Sequence, residues 1–121
     1  MDRWLVDGSP SEWVDTVAEL ESYRSTVSGV LLRHVLEHNH GWRRVLGNAC
    51  ASATWRMAVV IFTPLGDRTR DLTKGREIGP RYSFCRGDLA EVWRTGGFYE
   101  RHVNTVATET VFLLERPPDG R

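Results

Sequence analysis

The densest run of side chains that could do chemistry lies at Arg33 to His40, which reads Arg-His-Val-Leu-Glu-His-Asn-His. Histidine exchanges a proton near neutral pH, and a neighbouring glutamate can orient it or bind a metal ion. The run directly follows Val27 to Leu32, which is apolar without alternation, as is typical of a strand covered on both faces in a parallel sheet. Ligands of open α/β sheets bind just beyond the carboxyl ends of such strands, so the sequence predicts a site here.

One interpretation of this run is a zinc site. His34, Glu37 and His38 match the H-x-x-E-H arrangement of inverted zinc peptidases, in which two histidines hold Zn²⁺ and the glutamate activates water. Those enzymes carry the motif inside a helix and take a third ligand from another helix. Here the preceding residues are strand-like, and the acids at a suitable distance, Glu109 and Glu115, fall in a predicted hairpin. Zinc binding is therefore the less favoured alternative, and we expect no metal.

Composition excludes several classes of protein. The 121 residues fit a single domain, residues 1–121, and 16 Lys and Arg against 16 Asp and Glu give no overall attraction to nucleic acid or to an anionic membrane. The longest apolar run, Met57 to Phe62, is far shorter than the about 20 residues that cross a bilayer. Cys50 and Cys85 form no close pair and are expected to be buried apolar side chains. A cytoplasmic protein is the expectation.

The first half of the chain predicts a strand-helix-strand unit. Trp4 to Asp7 is a short predicted strand, and the Ser-Pro-Ser-Glu sequence from Ser9 predicts the start of a helix that continues to about Ser22. Asn39 to Thr54 has helical apolar spacing, and Met57 to Thr63 is a second continuous apolar strand. Together with the strand before Arg33, these elements predict parallel strands joined by a right-handed crossover.

The second half turns to antiparallel structure. Leu65 to Pro80 predicts an exposed loop, after which Tyr82 to Phe84 reads as a short strand. A short helix is predicted from the cap-to-acid spacing at Asp88, ended by a Gly-Gly pair. Phe98 to Ala107 and Thr110 to Arg116 predict a terminal hairpin.

The stretch Gly29 to His38, with its phrase His-Val-Leu-Glu-His, resembles the segment that follows the fourth strand of class I S-adenosylmethionine-dependent methyltransferases. The similarity continues through the strand at Met57 to Pro64, a variable loop, a helix and the terminal hairpin, and it covers about Asp7 to Arg116. It implies an α/β fold: a partial Rossmann-like, mostly parallel sheet flanked by helices, with a C-terminal antiparallel β-hairpin. It also implies transfer of a methyl group from S-adenosylmethionine to an unidentified small-molecule acceptor.

The resemblance also implies site residues. The expected cofactor contacts are Asp7 and Gly8 beside the adenine, and Arg33, His34 and Val35 along the methionine side. The expected substrate border follows the next strand and consists of Thr63, Pro64 and Leu65. His34 is the candidate base or orienting residue, with Glu37 and His38 as second candidates, and a purely structural role for His34 stays open.

The sequence also departs from the family. It contains no glycine-rich loop of the G-x-G-x-G kind, since its Gly96-Gly97 pair follows a predicted helix and not a first strand. A counterpart of the acidic residue that ends the family's second strand is missing as well. The resemblance is therefore to the C-terminal half alone. The fourth strand would then have a free edge, which predicts pairing with a second copy or a partner chain. The alternative function is a non-catalytic remnant or interaction module of this fold.

Overall fold

A computed structural model describes residues 4–7, 13–14, 27–62, 65–73 and 80–117. The strands are β1 (Trp4–Asp7), β2 (Trp13–Val14), β3 (Val27–Arg33), β4 (Ala53–Phe62), β5 (Arg70–Asp71), β6 (Tyr82–Ser83), β7 (Tyr99–Val106) and β8 (Glu109–Glu115). The helices are α1 (Trp42–Ser52) and α2 (Arg86–Thr95), and a 3₁₀ turn covers Leu36–His38.

Six strands form the main sheet, in the order β2-β1-β3-β4-β8-β7. Strands β3 and β4 are parallel, with Val30 beside Met57 and Leu32 beside Val59, and α1 connects them. The predicted strand-helix-strand unit and the α/β class are confirmed. The sheet is mixed, because every other pairing of neighbouring described strands in it is antiparallel.

The predicted free edge of β3 is wrong. Strand β1 runs antiparallel along it, with Trp4 beside Leu32 and Asp7 beside Gly29, so the backbone groups of that edge bond within the chain. The helix predicted from Ser9 to about Ser22 is also wrong at Trp13–Val14, which form β2 on the outer side of β1. Pairing with a neighbouring strand outweighs the local capping signal there. The rest of that predicted helix lies outside the described residues.

The two described helices pack on each other, and α1 also contacts β3 and β4 while α2 contacts β7. Helix α1 lies within its predicted range and ends where Ala53 adopts an extended backbone and begins β4. Its buried side chains recur at helical spacing, as expected for one apolar stripe. Helix α2 begins earlier than predicted, with Cys85 as its cap, and Asp88 lies in its first turn. It ends at Gly96, as predicted, and Gly97 follows at a φ of +90° that favours glycine.

Arg116 joins the terminal hairpin to both helices. One guanidinium nitrogen donates to the Gly96 carbonyl (3.0 Å) and another to the Cys50 carbonyl (2.9 Å), so the cation lies at both helix carboxyl ends. The guanidinium also lies 4.5 Å from the centre of the Phe98 ring. Burial raises the pKa of the Cys50 thiol to about 12, although Arg116 opposes the shift. Cys50 is therefore an inert apolar side chain, as expected.

The remaining elements follow the sequence closely. The hairpin of β7 and β8 is confirmed, and its turn places Ala107 at a φ of +52°. Strand β5 lies within the predicted loop and pairs with β6, which falls in the predicted strand Tyr82 to Phe84, and the two form a small separate sheet. No helix in the described part of the chain has the length and apolar character to cross a membrane.

Candidate functional site

The candidate site begins at the carboxyl end of β3. The His34 backbone N–H donates to the Val60 carbonyl (2.9 Å), which extends the parallel pairing one residue past the strand. Its φ of +54° lies in the left-handed region, which non-glycine residues seldom adopt and which recurs at functional sites. The chain then enters the 3₁₀ turn. This reversal leaves the His34 side chain buried at the strand end.

Both nitrogens of the His34 ring face carboxylates. Nδ1 lies 3.2 Å from Oε2 of Glu37, Nε2 contacts Oε2 of Glu109, and the ring stacks on Phe62 with centroids 3.9 Å apart. An ionised carboxylate only accepts hydrogen bonds, so this arrangement suits an imidazolium that donates from both nitrogens. Burial lowers the pKa of His34, but the hydrogen bonds and charges of Glu109 and Glu37 outweigh it and leave the pKa raised.

Glu37 holds the ring from the protein interior. It is only 2% exposed, and its Oε2 also accepts the Phe62 backbone N–H (2.7 Å), which ties the turn to the end of β4. Asn39 stabilises the same turn by donating from Nδ2 to the Val35 carbonyl (2.6 Å). Glu37 therefore supports His34 and does not face solvent.

Glu109 holds the ring from the outer side. It is the first residue of β8, lies opposite Phe62 in the sheet and has a side chain that is 33% exposed. The same Oε2 lies 3.6 Å from Nη2 of Arg33. The hydrogen bond from His34 lowers the pKa of Glu109, and the charges of His34 and Arg33 act in the same direction. Sequence analysis named Glu109 only as a metal ligand, because 75 residues separate it from His34 and only the sheet order brings them together.

Two predicted site residues lie away from this cluster. The His38 side chain is exposed and donates from Nδ1 to the Pro80 carbonyl (3.3 Å). Asp7 ends an antiparallel strand beside Gly29, four residues before Arg33, which corresponds to roughly 13 Å along β3. The structure therefore places Asp7 toward the amino end of β3 and not beside His34.

The remaining predicted site residues either pack in or against the core or lie outside the described residues. Val35 is buried in the core and Leu65 is half-buried against it. Gly8, Thr63 and Pro64 lie outside the described residues. The described cluster therefore consists of Arg33, His34, Glu37 and Glu109, with Phe62 against the imidazole ring.

The zinc-peptidase helix is not formed. His34 precedes a 3₁₀ turn, and the two histidines of the motif have different partners, Glu109 for His34 and the Pro80 carbonyl for His38. Among residues 27–62, 65–73 and 80–117, no group of three or more His, Cys, Asp or Glu side chains could hold a metal ion.

The carboxylate-histidine cluster predicts how stability depends on pH. Because the pKa of His34 is raised above its ordinary 6.5, its contribution to the free energy of unfolding is complete below pH 6.5 and is lost as pH rises through the raised value. The lowered pKa of Glu109 gives a contribution that is present above its ordinary 4.5 and is lost in acid. We expect the cluster to contribute most between pH 4.5 and 6.5.

Urea unfolding at pH 5.5 and at pH 8.5 measures this contribution. The first pH lies about one unit below the ordinary histidine pKa of 6.5, and the second lies about two units above it. His34→Gln should remove most of the difference between the two pH values, whereas His102→Gln, at an exposed histidine of β7, should retain it. Equal pH dependence in the wild type and His34→Gln would contradict the expectation.

Comparisons with known proteins show what this architecture is similar to. No family model matches the sequence, and no curated protein matches it. The solved structure of 1,6-didemethyltoxoflavin-N1-methyltransferase from Burkholderia thailandensis superimposes with a TM-score of 0.65 at 17% identity, over 80% of this chain and 48% of that one. Magnesium protoporphyrin IX methyltransferase from Synechocystis PCC 6803 gives 0.62 at 15% identity, over 81% and 48%. The chain has a class I methyltransferase fold.

The methyltransferase fold is represented here in part. The pyocyanin biosynthetic protein PhzM also matches, with a TM-score of 0.54, 16% identity and coverage of 81% of this chain and 33% of PhzM. The chain thus spans about half or less of the length of these three proteins.

The described residues that the resemblance assigns to S-adenosylmethionine do not lie together. The exposed Arg33 and the end of β3 lie where the resemblance puts the methionine side, whereas Val35 is buried and Asp7 lies toward the other end of the strand. The Burkholderia and Synechocystis methyltransferases contain S-adenosylhomocysteine in their structures.

Proposed function

We propose that this chain contributes the acceptor side of an S-adenosylmethionine-dependent methyltransferase that acts on a small molecule in the cytoplasm. One observation carries the proposal: within a methyltransferase fold, a buried histidine is held between two carboxylates at the carboxyl end of a parallel strand. That end of the strand is the usual ligand position in open α/β sheets. Two of the similar structures are named for small-molecule methylation, of 1,6-didemethyltoxoflavin and of magnesium protoporphyrin IX.

Within this proposal the chain's residues position the acceptor. S-adenosylmethionine would supply an electrophilic methyl group on a sulfonium sulfur. Holding the nucleophile in line with that group provides most of the rate, and a protein base is optional. Both ring nitrogens of His34 face carboxylates, an arrangement that suits a doubly protonated ring and favours the orienting role over the role of a base. Glu37 fixes the ring, and His38, which is exposed beside Pro80, remains a second candidate.

A non-catalytic remnant or interaction module is the second candidate. The sequence contains no glycine-rich cofactor loop, and Asp7 lies away from the end of β3 where His34 is held. Under the first proposal, a second copy or a partner chain would supply the missing contacts. Since β1 covers the edge of β3, such a chain would not pair at that edge.

Isothermal titration with S-adenosylmethionine and S-adenosylhomocysteine, together with the mass of the chain in solution, distinguishes the two candidates. A methyltransferase half should bind with a dissociation constant in the micromolar range, alone or as an assembly. His34→Ala should weaken binding or the turnover of acceptors found in a screen, whereas His102→Ala on the exposed side of β7 should not. A folded chain that binds neither compound at millimolar concentration would favour the remnant.

A further inference from the structure

One face of the main sheet carries large apolar side chains that remain exposed. Alternate residues of β3, β4 and β8, such as Val30, Val59 and Phe112, belong to the buried cluster that also contains side chains of α1 and α2. The residues between them, together with their register partners on β7, form the opposite face, which we call the open face. Its exposed apolar side chains are Phe62, Tyr99, Val106 and Leu113. An exposed apolar area of this kind marks an interaction surface.

The centre of the open face is apolar. Leu31, Ala58 and Leu113 form one row across β3, β4 and β8. Val60 and Val111 form the next row across β4 and β8. Leu113 is exposed, whereas Ala58 beside it has a small side chain, so the surface is higher over β8 than over β4.

The row on the other side of Leu31 alternates in charge and in size. It consists of Gly29, Arg56, Glu115 and Tyr99, in order from β3 to β7. Arg56 and Glu115 carry opposite charges at the two middle positions. At the two outer positions, Gly29 has no side chain and the half-exposed Tyr99 has a large one. Glycine within a strand often marks the close approach of another backbone or a ligand.

We propose that two copies of this chain associate through the open face, about a two-fold axis that runs along the strands between β4 and β8. Such an axis keeps every row in place and lays β4 of each copy over β8 of the other, and β3 over β7. Aligned sheets pack about 10 Å apart with their strands within about 30° of each other, which suits this arrangement. The dimer goes beyond the proposed methyl transfer and does not depend on it.

Complementary sizes and charges support a second copy as the occupant of the open face. In this arrangement Leu113 of each copy lies over the small Ala58 of the other. Tyr99 lies over the position of Gly29, where no side chain stands in its way. Arg56 of each copy meets Glu115 of the other. Every one of these contacts occurs twice, because a two-fold interface pairs the same patch with itself.

The charges also determine where the axis lies. An axis along β4 would place Arg56 against Arg56, and an axis along β8 would place Glu115 against Glu115. Like charges that face each other across an interface are unfavourable. With the axis between β4 and β8, both positions meet the opposite charge.

The size of the open face predicts a weak dimer. Its part on β3, β4, β8 and β7 spans strands about 4.8 Å apart and about 20 Å of strand length, which is small for a protein-protein interface. We therefore expect a dissociation constant in the micromolar range. The face also reaches the candidate site, since Phe62 lies in its end row and stacks on His34.

Sedimentation equilibrium of the full chain at micromolar concentrations tests the axis through the variants Arg56→Glu and Glu115→Arg. In either variant alone like charges meet in the dimer, and the dissociation constant should rise at least about tenfold. An equimolar mixture of the two variants should form a mixed dimer with about the wild-type constant, because both ion pairs re-form between unlike copies. A chain that carries both substitutions should dimerise like the wild type for the same reason.

Leu113→Glu tests the apolar centre of the interface, with Leu72→Glu as the matched control. Leu113 and Leu72 are 42% and 41% exposed, and Leu72 lies outside the main sheet, directly after β5. Leu113→Glu should raise the dissociation constant at least about tenfold, because each copy would bury an unpaired charge against Ala58. Leu72→Glu should leave the constant unchanged. Circular dichroism verifies that both variants fold.

A wild-type chain that stays monomeric up to millimolar concentration overturns the proposed dimer and leaves the open face to a different partner. Equal dissociation constants for Leu113→Glu and Leu72→Glu overturn it as well, as does a mixture of the two charge variants that dimerises no better than each alone. Should Leu113→Glu fail to fold, the charge variants decide. S-adenosylmethionine binding by a monomer would leave the proposed function intact and exclude this dimer.

Discussion

Glu37→Ala is expected to lower the free energy of unfolding by about 3 kcal/mol or more, the range found when one member of a buried charged pair is removed. The substitution leaves the buried Nδ1 of His34 and the Phe62 backbone N–H without their shared acceptor. It also removes the contact that joins the 3₁₀ turn to the end of β4. Urea unfolding monitored by tryptophan fluorescence measures the change.

The matched control for this prediction is Glu91→Ala. Glu91 is an exposed acid of α2 that pairs with Arg43 at 3.3 Å, and exposed pairs of this kind contribute less than about 1 kcal/mol. The histidine NMR spectrum adds a second readout, since Glu37→Ala should shift the His34 ring signals and Glu91→Ala should not. A loss below about 1 kcal/mol in Glu37→Ala would show that Glu37 does not support the ring as described.

Trp93→Ala is expected to lower the free energy of unfolding by about 3 to 5 kcal/mol, as for other large-to-small core substitutions. Trp93 is fully buried, its ring centroid lies 5.0 Å from that of Phe112, and its indole N–H donates to Glu100. Alanine would leave a cavity between α2 and the sheet, and Glu100 would lose a hydrogen-bond donor. Thermal and urea unfolding both report the loss.

Trp55→Ala is the control for the Trp93 substitution. Trp55 lies half-exposed near the start of β4, with the Arg56 guanidinium 4.5 Å from its ring centre, and cation-π contacts at exposed sites contribute about 0.5–1 kcal/mol. Similar losses of unfolding free energy in Trp93→Ala and Trp55→Ala would contradict the expectation that the buried Trp93–Phe112 contact between α2 and β8 stabilises the protein more than an exposed tryptophan does. In both variants the pH dependence assigned to His34 should persist, since neither residue touches the ring.

The elements that could be predicted from the sequence are those with a strong local pattern. The continuous apolar runs in β3 and β4 and the helical spacing in α1 each require a particular period and burial, and all three are confirmed. The Gly96-Gly97 pair ends α2 as predicted, because a positive φ at Gly97 is readily adopted only by glycine. The hairpin was predicted from its two strand-like runs and the short break between them, although its turn holds Ala107 and not glycine at a positive φ.

The prediction failed where distant segments compete for the same strand edge. Trp13–Val14 carry good helix-start signals before them, yet they form β2, because the free edge of β1 offers them a partner that no local pattern reveals. The direction of β1 has the larger consequence. Being antiparallel to β3, it places Asp7 beside Gly29 and away from the site residues.

The sequence by itself determined the α/β class, the βαβ unit and the position of the candidate site after β3, because period and burial are properties of neighbouring residues. The tertiary structure alone decided that β1 covers β3 and that Glu109 meets His34 across 75 residues of chain. Strand order and side-chain partners depend on long-range pairing, which satisfies backbone groups and buried charges together and leaves no trace in the local pattern.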